Sequence, residues 1–128
     1  MRAADAASAG AGVEVVSVSP GRASARLVVR ERHVNGHAVA HGGYLFLLAD
    51  TAFAYACNSF GVPTLAAGAD ITFMRSARLG DELVAEAQLR ASSGRSGIYD
   101  VTVRCGETVV AEFRGRSRSV PERYTSDR

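Results

Sequence analysis

Asp50 is the residue whose position most strongly suggests chemistry. It is the only formal charge in an apolar run from Tyr44 to Cys57, in which leucine, alanine and phenylalanine favour a helix. A carboxylate in such surroundings loses hydration, which destabilises its charged form unless a partner compensates. Two interpretations follow: a structural carboxylate bonded to a neighbouring chain segment, or a functional one.

The residues that precede this run, His41-Gly42-Gly43, favour the functional interpretation. They stand where the helix begins, and glycines there allow a ligand to approach unpaired backbone N–H groups closely. Together with the helix dipole, these donors suit the negative oxygen that develops on a carbonyl under attack. A flexible helix entry would explain the glycines alone, but it would not explain their pairing with Asp50.

The distance between Gly42 and Asp50 adds a prediction about assembly. Eight residues separate them, which is about 12 Å along a helix. One carbonyl cannot easily meet both groups in the same chain, whereas two antiparallel helices would place each Asp50 opposite Gly42 of the other copy. We therefore expect a C2 dimer with two sites, each shared across the interface.

The elements that position these residues follow from the period of the apolar pattern. Alternation predicts six strands, over residues 13–19, 22–30, 64–74, 82–92, 99–105 and 108–120. The apolar run predicts a helix over residues 43–59, and residues 32–40 are predicted to be a loop. Short turns between the last four strands predict a largely antiparallel sheet, and one helix enclosed by it makes an α+β fold.

Composition limits the remaining possibilities. A chain of 128 residues is long enough for one core, so we expect one domain over residues 13–120. A flexible lead-in over residues 1–12, either frayed or weakly helical, precedes it, and a tail over residues 121–128 follows. The net charge of +2 does not indicate nucleic acid. No secretory signal is visible, and the longest apolar run is shorter than the roughly 20 residues that span a bilayer. We expect a cytoplasmic protein without a membrane partner.

The spacing of the histidines and cysteines does not indicate a metal site. His33, His37 and His41 are four residues apart, which on a helix would form a metal-binding face. The Asn-Gly step between the first two favours a loop, and no acidic ligand accompanies them, so they are interpreted as surface or substrate-positioning side chains. Cys57 and Cys105 match no metal spacing and are expected to be free, buried thiols. No metal is predicted.

The stretch from His33 to Ser59 resembles the signature of the PaaI group of hotdog-fold acyl-CoA thioesterases, a group associated with phenylacetate degradation. Three motifs carry the resemblance: Asn35-Gly36-His37, His41-Gly42-Gly43 and Leu48-Ala49-Asp50-Thr51-Ala52. The resemblance implies a hotdog fold, in which an antiparallel sheet wraps around one long central helix. It also implies hydrolysis of phenylacetyl-CoA, hydroxyphenylacetyl-CoA or a similar aryl or medium-chain acyl-CoA to the free acid and CoA.

The resemblance also implies roles for four residues. In similar enzymes the acid at the position of Asp50 activates water or attacks the thioester carbonyl, and both routes are open to this carboxylate. The glycine at the position of Gly42 donates its amide to the carbonyl oxygen. The residues at the positions of Asn35 and His41 orient the thioester or the water. No cofactor is implied, since coenzyme A is part of the substrate, and the expected partner is a second copy, with dimers pairing into tetramers.

Further substrate contacts are expected around these residues. Gly43 lies beside Gly42 at the start of the helix. Some relatives carry a serine or threonine after the helix that positions the water, for which Thr51 and Thr64 are the candidates here. Members often have Arg-Pro where this chain has Arg75-Ser76, a change in a turn.

Four arginines are candidates for the CoA phosphates: Arg75, Arg95, Arg114 and Arg116. For each of them, a solvated strand face or turn is the alternative interpretation.

Two other functions fit parts of the pattern. A hotdog-fold hydratase would also use a histidine and an acid, but on a different motif around its histidine. A non-catalytic acyl-CoA-binding or regulatory module would keep the groove and lose the acid. The presence of Asp50, Asn35 and His41 together favours the thioesterase.

Overall fold

The computed structural model describes residues 6–120, which form one antiparallel sheet packed around one long helix. The helices and strands are α1 (Ala6–Ala11), β1 (Glu14–Ser19), β2 (Arg22–Val28), α2 (Gly42–Cys57), β3 (Thr64–Phe73), β4 (Glu82–Ser93), β5 (Ser96–Cys105) and β6 (Thr108–Ser119). A 3-10 turn over Glu31–His33 lies between β2 and α2. Because α2 contacts all six strands, this is the α+β hotdog arrangement, and that prediction is confirmed.

The strand order in the sheet is β1-β2-β4-β5-β6-β3. Tight turns join β1 to β2, β4 to β5 and β5 to β6. The connection from β3 to β4 is not a hairpin, so the prediction that short turns join all of the last four strands is wrong. Residues 74–81 instead pass beside the beginning of α2, where the Ala40 N–H donates to the Ala77 carbonyl oxygen at 2.7 Å. β3 therefore pairs with β6 and forms one edge of the sheet.

The core lies between the sheet and the buried side of α2. That side carries seven apolar residues: Leu45, Leu48, Ala49, Ala52, Phe53, Ala56 and Cys57. Three of the seven are alanines, which lets the helix approach the sheet closely. The approach is tightest at Gly115 of β6, where a Cβ atom would stand 2.6 Å from the ring of Phe53. Burial of each large side chain here contributes about 1.5–3 kcal/mol.

The other side of α2 is incompletely covered, and we call it the open face of α2. It consists of five residues at helical spacing: Gly43, Phe46, Leu47, Asp50 and Ala54. The adjacent inner side of β3 is also incompletely covered, because Ala69 and Ile71 are half-buried and Phe73 is 51% exposed. A single chain thus leaves neighbouring apolar surface open on α2 and on the edge strand.

Element ends differ from the predicted ones by a few residues. α2 ends at Cys57, two residues earlier than predicted, because the Asn58 side chain bonds to the chain beyond it. Its Nδ2 donates to the carbonyl oxygens of Ala54 and Thr64, and its Oδ1 accepts the Thr64 N–H. β2 ends at Val28, also two residues early. The segment between the strands predicted over residues 82–92 and 99–105 narrows to a turn at residues 94–95.

Residues 6–11 of the predicted lead-in form the short helix α1, which is the helical alternative for this segment. Ser8 and Ala11 are buried, and the Ser8 hydroxyl lies 2.8 Å from the Thr51 hydroxyl of α2. The small residues of α1 have no apolar period that could reveal it. Contact with α2 supplies the stability that so short a helix lacks alone. The remaining lead-in, residues 1–5, and the tail, residues 121–128, lie outside the described residues.

Two further predictions concern apolar segments and thiols. Between residues 6 and 120, no helix has both the length and the apolar character that a membrane crossing requires.

Both cysteines are free. Cys57 is buried, as predicted, but Cys105 is only partly buried because it lies at the end of β5.

Candidate active site

The beginning of α2 presents open backbone donors. His41 is the N-cap residue, with φ −62° and ψ 139°, and its side chain makes no capping bond. Its carbonyl oxygen accepts the N–H groups of Tyr44 and Leu45 at 3.0 and 3.5 Å. The N–H groups of Gly42 and Gly43 have no backbone partner among residues 6–120, as the first turn of a helix requires. This turn can therefore donate to an anionic oxygen.

The two glycines have different surroundings. A Cβ atom at Gly42 would stand 2.8 Å from the Phe73 ring, so this position has a packing role within the chain. A Cβ atom at Gly43 would have no neighbour within 4 Å among the described residues. Gly43, a predicted substrate contact, thus lies on a surface that a ligand or a second chain can reach.

Asn35 shapes the loop that leads into α2. Its Oδ1 accepts the N–H groups of His37 at 2.8 Å and Val39 at 3.3 Å, and its own N–H donates to the Val39 carbonyl oxygen. Within this turn Ala38 has a φ of 59°. Asn35 is exposed, and its Nδ2 has no hydrogen-bond partner in the described part of the chain. This amide is therefore available to a ligand.

Asp50 lies in the middle of the open face of α2. Its side chain is half-buried and has no hydrogen bond or ion pair with any residue between 6 and 120. Burial raises the pKa of the Asp50 carboxyl above its ordinary value of 3.8, because desolvation penalises the charged form. Residues 6–120 thus offer no structural partner for this carboxylate. A carboxylate with a raised pKa and an open side is suited to accept a proton.

Gly42 and Asp50 do not meet within one chain. Both lie on α2, about 12 Å apart along its axis. A single carbonyl carbon cannot contact the Asp50 carboxylate while its oxygen accepts the Gly42 N–H of the same chain. The functional groups are therefore in one helix but not in one site.

A cleft of about 390 Å³ lies beside the beginning of α2. Gly42, Phe73 and Arg75 are among its lining residues. Arg75 is exposed and has no ion-pair partner among residues 6–120, so its guanidinium can meet an anion. The structure thus brings together two of the residues predicted from the sequence, Gly42 and Arg75.

Thr51 bonds within its own chain. Its side chain is buried against α1, and its hydroxyl donates to the Leu47 carbonyl oxygen at 2.7 Å and lies 2.8 Å from the Ser8 hydroxyl. Within one chain a bond in the helix and a bond to α1 occupy this hydroxyl, and a contact of Thr51 with substrate or water stays a prediction.

Thr64 and Arg95 line a second cavity of about 390 Å³ at the other end of α2. The Thr64 hydroxyl donates to the Val62 carbonyl oxygen at 2.8 Å. Arg95 is exposed in the turn between β4 and β5. Within one chain these two residues are therefore separated from Gly42 by the length of the helix.

Arg114 lies on the outer side of the sheet, away from α2. Its Nε donates to Asp100 at 2.8 Å, and Arg116, on the same side, pairs with Asp70 at 2.9 Å. Exposed pairs of this kind stabilise a fold little. Both residues lie on a solvated strand face and are paired with carboxylates, and contacts of Arg114 and Arg116 with CoA phosphates stay a prediction.

The three histidines do not share a helix face. His33 is fully buried; its Nδ1 accepts the Arg30 N–H at 2.8 Å and its Nε2 lies 2.6 Å from the Ala11 carbonyl oxygen. These bonds fix the Nε2–H tautomer, so His33 is a core residue rather than a surface one. His37 and His41 are exposed. Within residues 6–120, no group of three or more acidic, histidine or cysteine side chains is placed to hold a metal.

Tyr99 and Cys57, which line the second cavity, were not predicted as functional residues. Burial, and to a lesser degree the charge of Asp50, raises the pKa of the Cys57 thiol to about 11, so the thiol stays protonated and is a poor nucleophile. Burial also raises the pKa of Tyr99. The alternation in β5 indicates that Tyr99 faces the core, but no sequence signal indicates which part of α2 it meets.

Comparison with known proteins agrees with this fold. Residues 37–112 match the family model of the thioesterase superfamily. The acyl-coenzyme A thioesterase PaaI of Escherichia coli K12 is 40% identical over 124 residues, which cover 96% of this chain and 89% of that protein. The solved structure of the E. coli PaaI protein from the phenylacetic acid degradation operon superposes with a TM-score of 0.90 over 94% of this chain and 88% of that one, at 40% identity. The structure of smu.793 from Streptococcus mutans bound to acetyl CoA has a TM-score of 0.79 at 25% identity, over 84% and 88% of the two chains. This chain belongs to the thioesterase superfamily.

Proposed function

We propose that this protein hydrolyses acyl-CoA thioesters to the free acid and CoA, with the Asp50 carboxylate as its reactive group. The observation that carries the proposal is this half-buried carboxylate, which has no partner among residues 6–120 and lies on the same helix as open N-terminal amides. Membership of the thioesterase superfamily supports thioester chemistry. The relative named acyl-coenzyme A thioesterase and the structure bound to acetyl CoA support a CoA ester as the substrate class.

The proposed reaction begins with Asp50 as general base. As water attacks the thioester carbonyl carbon, Asp50 takes a proton from the water, and the carbonyl oxygen becomes negative against the Gly42 N–H. Collapse of the tetrahedral intermediate breaks the C–S bond and releases the CoA thiolate. In the covalent alternative Asp50 attacks the carbonyl directly, and water then hydrolyses the anhydride.

Each site is proposed to combine two chains. With two antiparallel α2 helices about a two-fold axis, Gly42 of one copy stands opposite Asp50 of the other, which the separation within one chain requires. The open face of α2 and the inner side of β3 offer the apolar surface for this contact. Asn35 and His41, in the loop before Gly42, would reach the same thioester as the second copy's Asp50. The pairing of dimers into tetramers stays a prediction.

The acyl group is proposed to be phenylacetyl, hydroxyphenylacetyl or a similar aryl or medium-chain group. The operon named for the E. coli PaaI structure supports an aryl-acetyl thioester. Arg75, exposed beside Gly42 in the first cleft, is proposed to meet a CoA phosphate.

The test is thiol release from phenylacetyl-CoA by the wild type and by Asp50→Asn. We expect kcat to fall by roughly 100- to 10,000-fold in the variant, the range for loss of a general base. Asp100→Asn is the matched control, because Asp100 is also a half-buried carboxylate but pairs with Arg114 on the outer side of the sheet, and it should keep the wild-type rate.

Two results would contradict the proposal. Full activity in Asp50→Asn would remove Asp50 from the reaction. Binding of acyl-CoA by the wild type with no turnover of any thioester would favour the non-catalytic module instead.

A further inference from the structure

His33 is a fully buried histidine that the proposed reaction does not use. It ends the 3-10 turn between β2 and α2, and none of its surface is exposed. A polar ring this deep in a core is costly unless its nitrogens are bonded. Both nitrogens of His33 are bonded, and their two partners belong to different parts of the fold.

The imidazole of His33 joins three elements. Nδ1 accepts the Arg30 N–H, just beyond β2, at 2.8 Å, and Nε2–H donates to the Ala11 carbonyl oxygen at the end of α1 at 2.6 Å. The ring also packs on Tyr44 in the first turn of α2, with centroids 4.8 Å apart and planes at 79°. One side chain therefore holds β2, α1 and the beginning of α2 together.

The backbone of His33 closes the loop that leads into α2. Its carbonyl oxygen accepts the His41 N–H at 2.8 Å, and an isolated antiparallel bridge joins the next pair of residues inward. The closed loop contains Asn35, and Gly42 follows it directly. The groups that are proposed to meet the thioester, namely the Asn35 amide, His41 and the Gly42 N–H, are thus connected to the position of His33.

We propose that His33 is a positioning residue for the thioesterase reaction and that its two ring nitrogens have separate effects. The bond from Arg30 to Nδ1 holds the loop, and with it the groups that meet the thioester, in the orientation that the transition state requires. The bond from Nε2 to Ala11 attaches α1, which contributes stability and not rate. The inference rests on the proposed thioesterase function and adds to it a residue that does not touch the substrate.

Two amide side chains can separate the two bonds. Asparagine in place of His33 carries its amide near the position of Nδ1, where it can accept the Arg30 N–H, but it is too short to reach Ala11. The longer glutamine carries its amide near the position of Nε2, where it can donate to the Ala11 carbonyl oxygen. His33→Leu keeps apolar volume and removes both bonds.

The test measures Tm, and kcat and KM for phenylacetyl-CoA, in the wild type, His33→Asn, His33→Gln and His33→Leu. Activity is measured well below every Tm. We expect His33→Asn to keep kcat close to the wild-type value while its Tm falls. His33→Gln should keep most of the Tm and lose roughly tenfold in kcat, the equivalent of one hydrogen bond. Its KM should change little, because misplaced groups act mainly on the transition state, and His33→Leu should lose both kcat and Tm.

Val101→Ala is the control for lost stability alone. Val101 is fully buried in β5, so its truncation leaves a cavity that lowers Tm, while every bond around the loop stays in place. Its kcat should equal that of the wild type. The two amide variants carry the comparison even where His33→Leu fails to fold, because each of them keeps one of the two bonds.

Other outcomes would overturn the inference. If kcat follows Tm across the His33 variants, or if His33→Asn loses as much kcat as His33→Gln, His33 has a structural role only, while the thioesterase function stands on the activity of the wild type. If the wild type hydrolyses no thioester, the proposed function itself fails.

Discussion

At the scale of single residues, Asp50 serves function at the expense of stability. Its carboxylate is half-buried, and burial disfavours the charge that the proposed chemistry needs. Natural active sites often hold such groups, and replacing them commonly stabilises the fold while it removes activity. Asp50→Asn, the substitution that tests the reaction, therefore also tests whether burial of the Asp50 charge destabilises the fold.

We predict that Asp50→Asn raises stability near pH 7. Because the pKa of Asp50 is higher in the folded than in the unfolded chain, the folded state binds more protons, and stability falls as pH rises from the ordinary value of 3.8 through the raised one. Asparagine removes this loss, so Tm at pH 7 should increase by a few degrees, and the gain should disappear below pH 3.8.

Thermal unfolding across this pH range, at one fixed protein concentration, measures the effect. Asp100→Asn is the control, since it breaks an ion pair with Arg114 and should bring no gain. A lower Tm for Asp50→Asn at pH 7 would mean that the carboxylate has a stabilising partner, for instance in a second copy.

At the scale of elements, the position of α2 against the sheet depends on the absence of a side chain at Gly115. A Cβ atom there would stand 2.6–2.7 Å from three atoms of the Phe53 ring. Phe53 also packs on Tyr99 and Phe113, so its ring cannot move without disturbing the neighbouring strands. The absence of a Cβ atom at Gly115 thus allows α2, the helix that carries Asp50, to lie close to β6.

We predict that Gly115→Ala lowers the free energy of unfolding by about 1–3 kcal/mol, the usual effect of overpacking a core. Chemical denaturation measures this change. Adding Phe53→Leu, which removes the ring, should restore part of the loss, so the double variant should be more stable than the sum of the single effects predicts. Gly36→Ala is the control, because a Cβ atom there meets nothing within 4 Å. A strictly additive double variant would contradict this account of the contact.

The sequence predicted elements well and contacts between elements less well. The periods of the apolar pattern predict the ends of α2 and most strand ends to within two residues of those in the structure. Asp50 and Gly42 can be predicted as functional residues because both lie in one helix, where sequence spacing gives their separation. The pairing of β3 with β6 was missed, since it depends on where residues 74–81 cross. Thr51 and Arg114 are predicted substrate contacts, and the sequence does not reveal that within one chain Thr51 bonds to α1 and Arg114 pairs with Asp100. Which neighbour a side chain meets is a tertiary property that no local period encodes.

At the scale of the whole molecule, an incompletely covered region of the described chain combines the open face of α2 with the inner side of β3. Phe46 is 36% exposed and Phe73 is 51% exposed, and Asp50 lies between apolar neighbours on the same face. Contiguous apolar surface of this kind is typical of an interface. The location of Asp50 within it links assembly to activity.

We predict that two inactive variants restore each other. Asn35→Ala disables the loop that leads to Gly42, through the lost Oδ1 bonds or the lost amide donor, while Asp50→Asn disables the carboxylate. A mixed dimer has one site with both defects and one site with neither. An equal mixture, allowed to exchange subunits, should then recover roughly a quarter of the wild-type activity, because half of the dimers are mixed and each has one intact site of two.

Each variant alone, handled identically, is the control. Exchange is verified by the mass of mixed dimers that carry two different tags. A fully exchanged mixture with no more activity than its components, or an active monomer at high dilution, would contradict the shared site.

The placement of Gly42 and Asp50 on one continuous helix also constrains how the chain can change in length. A residue inserted between them would rotate everything beyond it by about 100°, which would turn Asp50 from the open face toward the core and bring a core residue to the surface. The connections at residues 94–95 and 106–107 are exposed turns, and length changes there leave the helix untouched. Insertions and deletions are therefore tolerable in the hairpin turns, while the eight-residue interval behaves as a fixed length.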